Sequence, residues 1–330
     1  MRSVLIGSMV AAAALTIGAA PPAPNAVDQD VLRVQVLLDR LGFAPGVVDG
    51  RGGQSLKLAL RGFQSARGLP QTGEVDAPTR AWLARYGAVK GSRRFVVQAE
   101  DLRGDFVGRL PPKAEDQAKM RSLGYANAIE AIAERFHTTP QTIVALNPPG
   151  TRLRAGGALV LPNILPASRA YRESISPQWR ARLSSFNLDA DQPKADHLVV
   201  DKSEGALKVY DKAGALVAQF PVTTGSAHDP LPIGSWTIKG ASYDPPFHYN
   251  PKLFWDVSDG KDKQLLPPGP NGPVGVIWID LDKPHYGIHG TPHPETIGRA
   301  ESHGCIRLSN WDAARLSMMI APGVKARFQS

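Results

Sequence analysis

The chain of 330 residues contains one cysteine, Cys305. An intrachain disulfide is therefore excluded. Aromatic residues make up only 7% of the sequence, and the net charge of +8 is spread out, with no dense basic tract and no interleaved aromatics. A nucleic-acid-binding chain needs such a patch, so nucleic acid is not an expected partner. Charged residues reach 21% and hydrophobic residues 42%, ordinary values for a folded soluble protein. The length allows two or three domains.

The N-terminus reads as an export leader over residues 1–20. Arg2 precedes the uncharged run "VLIGSMVAAAALTIGAA", which ends in the small residues Gly18, Ala19 and Ala20. The run lies near the lower limit of roughly 17–25 residues for spanning a bilayer and is rich in weakly hydrophobic Ala and Gly. Cleavage is the expectation, with a membrane link only through an uncleaved leader. No cysteine follows the run, which excludes a lipid-modified N-terminus. The expected location is the periplasm. There an unpaired thiol is a liability unless it is buried and inert or does chemistry.

With 29 Pro and 32 Gly, many turns are expected. After "PPAPNA", residues 28–86 show helical periodicity. Val31, Val34, Leu38 and Leu41 share one face, and Leu56, Ala59, Leu60 and Phe63 share another. Asp76 caps a third short helix carrying Trp82 and Leu83. Residues 93–163 read β-α-α-β. "RFVVQ" is followed by an apolar face of Ile129, Ile132, Ala133 and Phe136, then by a second helix from Thr139-Pro140, and "ALVLP" returns as a strand. Residues 164–195 are polar and read as a linker able to form a helix or two. From residue 196 to 329 the period changes to alternation. "ALKVYDKAGALVAQFPV", "IGSWTIKGAS" and "VGVIWIDL" read as strands of an all-β, sandwich-like domain. Its one convincing helix is "NWDAARLSMMIAPG".

Three histidines, His285, His289 and His293, stand four apart upstream of Cys305. On a helix that spacing would align zinc ligands. Pro284, Gly287, Gly290, Pro292 and Pro294 forbid the helix. Zinc held by Cys305, His289 and His303 from loops lacks a further ligand, so no metal and no other cofactor is expected. A nucleophilic thiol fits better. His289 supplies a base for Cys305. Gly304 allows close approach of substrate and leaves backbone amides for an oxyanion. Arg307 offers a fork for a substrate carboxylate, or a structural salt bridge.

The pattern "IHGT…SHGCIRL", with His289 and Cys305 separated by 305 − 289 = 16 positions, resembles the L,D-transpeptidase (YkuD) catalytic domain. The earlier "FPVTTGSAHDPLPIGSWTI" is also similar to that family. The 28–86 block, with its "FQ" and "GL…TGEVD…T", resembles a peptidoglycan-binding domain. The 93–163 block looks like a LysM domain, departing from it by the long polar stretch 99–124. The expected architecture is thus multidomain: a leader, a helical peptidoglycan-binding domain, a βααβ LysM-like domain, a linker and the all-β catalytic domain.

The resemblance implies Cys305 as the acylated nucleophile and His289 as its base. It further implies the Gly290 carbonyl in place of a triad carboxylate, and His303 with the Gly304 and Cys305 amides shaping the site. Tyr286, Ser302 and Arg307 would line the substrate cleft. The implied partner is peptidoglycan, both stems and glycan strands. The implied reaction takes a tetrapeptide stem, expels D-Ala through a Cys305 thioester and forms a 3→3 cross-link. Hydrolysis, D-amino-acid exchange and lipoprotein anchoring are alternative fates of the same thioester, and a non-catalytic wall-binding protein is a further reading. Carbapenem acylation of Cys305 is implied as well.

Overall fold

The computed structural model describes residues 27–251, 262–302 and 304–330. The expected leader and His303 lie outside them.

The first unit consists of α1 (Gln29–Arg40), α2 (Gln54–Ala66) and α3 (Ala77–Leu83). Asp28 caps α1 by accepting the amides of Asp30 and Val31, and Asp76 caps α3 by accepting that of Thr79. Leu37, Leu38, Phe43, Leu56, Leu60, Phe63 and Leu83 close the core between them. The opposite side of α1 is also covered: Leu32 and Val36 belong to the core of the next unit.

In that next unit β1 (Ser92–Val96) pairs antiparallel with β2 (Ala158–Pro162). Between them run the short α4 (Ala114–Gln117), then α5 (Ala128–Arg135) and α6 (Pro140–Leu146). Asn127 caps α5. Thr139 caps α6, and Pro140 takes the first helical position, where its missing N–H costs nothing.

The segment read as a linker packs instead of spanning. It carries α7 (Pro177–Ser185), and Trp179, Leu183, Phe186 and Leu188 are buried in the core of the C-terminal domain. Its polar residues mask an apolar stripe too short for periodicity to reveal.

The C-terminal domain holds β3 (His197–Asp201), β4 (Ala206–Tyr210), β5 (Leu216–Pro221), β6 (Gly234–Tyr243), β7 (Phe247–Tyr249), β8 (Gln264–Leu266), β9 (Ile277–Leu281), β10 (Gly287–His289), β11 (Ile306–Arg307), α8 (Asn310–Met319) and β12 (Lys325–Gln329). Among the described residues eight strands form one sheet in the order β11-β10-β9-β6-β12-β3-β4-β5, and β7 pairs with β8 apart from it.

The expected sandwich is therefore a single sheet curled on itself. The joint is β6, ten residues long. Its first half pairs with β12 and its second with β9, with a register shift between Ile238 and Gly240. Residues of both halves, including Val200, Val209, Ile279 and Ile288, share one core with Leu316 and Trp311 of α8. At the far edge, residues 42–44 cover β5: the Ala44 amide donates to the Gln219 carbonyl and the Gln219 amide to that of Gly42. The helical unit so removes a free sheet edge.

All ten residues of α8 are buried, because the sheet lies on one side and the two N-terminal units on the other. Polar residues on that second side are paired across the units. Arg315 donates to Asp39 through both Nη1, to the carbonyl at 2.9 Å, and Nη2, to Oδ2 at 3.1 Å. Asp39 Oδ1 lies 3.1 Å from His137 Nδ1, and the His137 ring stacks on Trp311.

Candidate active site

β10 and β11 run parallel, with Ile288 opposite Ile306 and His289 opposite Arg307. Cys305, the residue before β11, therefore enters the site beside the start of β10. This register is the reason the sequence separation of sixteen residues closes to neighbouring strands. The loop between them is tied down on both flanks. Thr223 and Arg307 exchange backbone hydrogen bonds at 3.1 and 2.9 Å, and the Ser302 amide donates to the Thr224 carbonyl.

His289 is 4% exposed, with its ring stacked on Trp278 at a centroid distance of 5.5 Å. Its Nδ1 lies 2.7 Å from the carbonyl oxygen of Gly290. A carbonyl only accepts, so Nδ1 carries the hydrogen and the lone pair is on Nε2. Burial lowers the imidazole to about 4. The Gly290 carbonyl opposes that shift and the Arg307 charge adds to it. At neutral pH the ring is an uncharged acceptor.

Cys305 is partly accessible, and its thiol lies 3.8 Å from the His285 carbonyl. Desolvation raises the thiol above its ordinary value, while the Gly287 amide and the Arg307 charge draw it down. Thiol and imidazole thus both rest neutral, and the base has to take the proton as the sulfur attacks.

Gly304 has φ +99°, and a Cβ there would stand 2.7 Å from the Tyr286 ring. Both constraints demand glycine at the residue before the nucleophile. Tyr286 packs over this bend, and Lys283 Nζ sits 4.9 Å from its ring centroid. Arg307 is half-buried, with Nη1 donating to the Glu301 carbonyl at 3.3 Å.

Ser302 differs from the expectation that it lines the cleft. It is 2% exposed, and its hydroxyl donates to the Cys305 carbonyl at 2.6 Å, so it shapes the nucleophile loop from behind. His285 and His293 lie in loops, His293 against Glu295 at 3.6 Å. Trp278 and Asn310 were missed by sequence reasoning. Trp278 sits in an apolar strand with no motif of its own, and Asn310 looks like an ordinary first residue of a capped helix.

A cavity of about 810 Å³ among the described residues is not lined by Cys305. It opens where the three units meet, between Gly46 and Arg51 of the first, Asn127 and Glu130 of the second, and His293 and Glu295 of the third.

Comparison with known proteins follows the same division. Residues 195–327 match the family described as "L,D-transpeptidase catalytic domain" (YkuD), and residues 27–83 match the "Putative peptidoglycan binding domain". The chain is 28% identical over 200 residues to a protein of Bacillus licheniformis named "Putative L,D-transpeptidase YkuD", covering 60% of this chain and 90% of that one. It is 48% identical over 56 residues to the Bacillus subtilis protein of the same name, 17% of this chain and 34% of that one. A solved L,D-transpeptidase structure from Xylanimonas cellulosilytica overlaps it with a TM-score of 0.37 at 16% identity, covering 94% of this chain and 100% of that one. The chain carries a YkuD-family L,D-transpeptidase catalytic domain, an acyltransferase domain, preceded by a peptidoglycan-binding domain.

Proposed function

We propose that the protein cross-links peptidoglycan through a thioester on Cys305. The observation that carries this reading is the held imidazole: His289, fixed by the Gly290 carbonyl at 2.7 Å, stands on the strand paired with the one Cys305 leads into. In the first half-reaction the Cys305 proton passes to His289 Nε2 as sulfur bonds to the carbonyl carbon of the third stem residue. The oxyanion so formed takes the Gly304 and Cys305 amides. The amide bond then breaks, His289 returns the proton to the departing D-Ala amine, and a thioester remains. In the second half an amine on the third residue of another stem loses a proton to His289 and attacks the thioester. Amide replaces thioester, the thiol is restored, and the product is a 3→3 cross-link. Arg307 takes a stem carboxylate, and Tyr286 lines the cleft.

The leader-like N-terminus supports export to the periplasm. The βααβ build of residues 93–163 supports a LysM-like module. Its helices pack on α1 and α8, which favours a scaffold role, and its long 99–124 insertion sets it apart from a plain glycan binder.

The test is mass spectrometry of the mature protein incubated with a disaccharide-tetrapeptide, beside Cys305→Ala. Loss of D-Ala with a 3→3 dimer, absent in the variant, is the expected result. Tripeptide alone would assign the thioester to water and make the protein a carboxypeptidase. No reaction would leave a wall-binding role.

A further inference from the structure

Glu134 belongs to α5, outside the catalytic domain, and is 7% exposed. Its two carboxylate oxygens are both used. Oε2 accepts the Tyr125 hydroxyl, and Oε1 accepts Nδ2 of Asn310 at 2.7 Å. Asn310 opens α8 and is fully buried. The second hydrogen on its Nδ2 goes to the Pro270 carbonyl at 3.0 Å, and its Oδ1 accepts the Val276 amide at 3.2 Å. A flipped amide would face two acceptors with its oxygen, so this network fixes one orientation.

The oriented amide sits in a slot that only glycine leaves open. A Cβ on Gly275 would come 1.9 Å from Oδ1, and one on Gly290 2.2 Å from it. The Asn310 side chain is thus pressed against the Gly290 peptide, whose carbonyl holds His289 Nδ1. Two residues, Asn310 and Gly290, connect Glu134 to the imidazole.

We propose that Glu134 is a positioning residue for the reaction: its carboxylate fixes the Asn310 amide, and that amide fixes the Gly290 carbonyl that selects the His289 tautomer. This inference rests on the Cys305–His289 reading above. It makes the accessory unit a part of the active site's support, so that the catalytic domain alone carries an imidazole less firmly held. Removal of the acceptor leaves a buried Asn310 hydrogen without a partner, and the amide is then free to turn.

The experiment compares the full mature chain with Glu134→Gln and Glu134→Leu, measuring acylation of Cys305 by imipenem at several concentrations. Glutamine keeps an oxygen for Asn310. Leucine keeps the volume and removes the acceptor. The leucine variant is expected to lose roughly tenfold or more in the maximal acylation rate, with its half-saturating concentration unchanged, since a misplaced base costs rate before it costs binding. The glutamine variant is expected to recover most of that loss.

A merely structural Glu134 would lower the melting temperature of the leucine variant and leave the acylation rate of its folded fraction intact. Should that variant not fold, Tyr125→Phe frees the carboxylate to turn from Asn310 and is expected to show the same split to a smaller degree. A wild-type rate in folded Glu134→Leu, or in Tyr125→Phe where the leucine variant is unfolded, overturns the proposal. Failure of the wild type itself to acylate would instead strike the thioester reading.

Discussion

His289 Nδ1 lies 2.7 Å from the carbonyl of Gly290, the next residue in its own chain. A carboxylate at that place would stabilise a positive imidazole. A carbonyl orients the ring with only a dipole and leaves burial to dominate, so the ring stays neutral down to acid pH. Arg307, opposite His289 across the strand pair, favours a thiolate and disfavours an imidazolium at once. The site is built for proton transfer during attack, and a resting thiolate–imidazolium pair is not favoured.

The acylation rate should therefore keep its neutral-pH value well below pH 6. The base works only when neutral, and His289 is lowered to about 4, so activity is lost as pH falls through that value and not through 6.5. A pH profile of imipenem acylation, paired with iodoacetamide alkylation of Cys305, checks this. Alkylation should keep rising into the alkaline range, because the thiol is raised above its ordinary value. An acid limb near 6.5, or an alkylation plateau at neutral pH, would indicate an ion pair instead.

Gly304→Ala should disable the site without unfolding the protein. The φ of +99° strains any side chain, and the new methyl would meet the Tyr286 ring at 2.7 Å. Relief requires the ring to move or the peptide to turn, and either change disturbs the oxyanion amides. Strain of about 1–3 kcal/mol is expected in stability, and a loss on the order of 100-fold in acylation. Urea unfolding and the acylation rate measured on one preparation separate the two.

Much of this site was legible in the sequence because it is local. Prolines and glycines around His289 forbid a helix, one thiol in a chain whose sequence predicts export asks for a role, and sixteen residues separate the pair. The three helices of residues 29–83 were legible for the same reason: their stripes face a core of their own. What lay hidden is what the units do to one another. Nothing near Glu134 in the chain points to Asn310, 176 residues away. Val31, Val34, Leu38 and Leu41 read as one apolar face and do meet one core, yet Leu32 of the same helix enters a second. The curled sheet was hidden too, since alternation marks a strand but does not say that β6 serves both halves.

Arg315→Met tests the polar joint between the units. Arg315 and Asp39 are nearly fully buried, and the ion pair holds Asp39 well below the usual carboxylate range despite its burial. Breaking one side of a buried pair typically costs about 3–5 kcal/mol, since the other charge is stranded. Chemical denaturation should show a loss of that size, and Asp39→Leu combined with Arg315→Met should recover part of it. Additive losses in the double variant would mean that the two charges do not depend on each other.

Glu134 also gives the fold a pH dependence of definite sign. Burial lifts its carboxyl from 4.5 to about 7, so folding favours the protonated form. The contribution is fully present below pH 4.5 and is lost as pH rises through 7, a change on the order of 3 kcal/mol. Tyr125 and Asn310 donate to the charged form, and Arg182 favours it too. Glu130 opposes it. Asp312, lifted to about 6 by burial, runs in the same direction as Glu134. The wild type alone would therefore mix the two groups. Subtracting the stability curve of Glu134→Gln, which cannot titrate, isolates Glu134. The wild type should lose stability relative to the variant between pH 5 and pH 8. Parallel curves would place the proton on Asp312, and the carboxylate of Glu134 would then be charged throughout the range in which the enzyme acts.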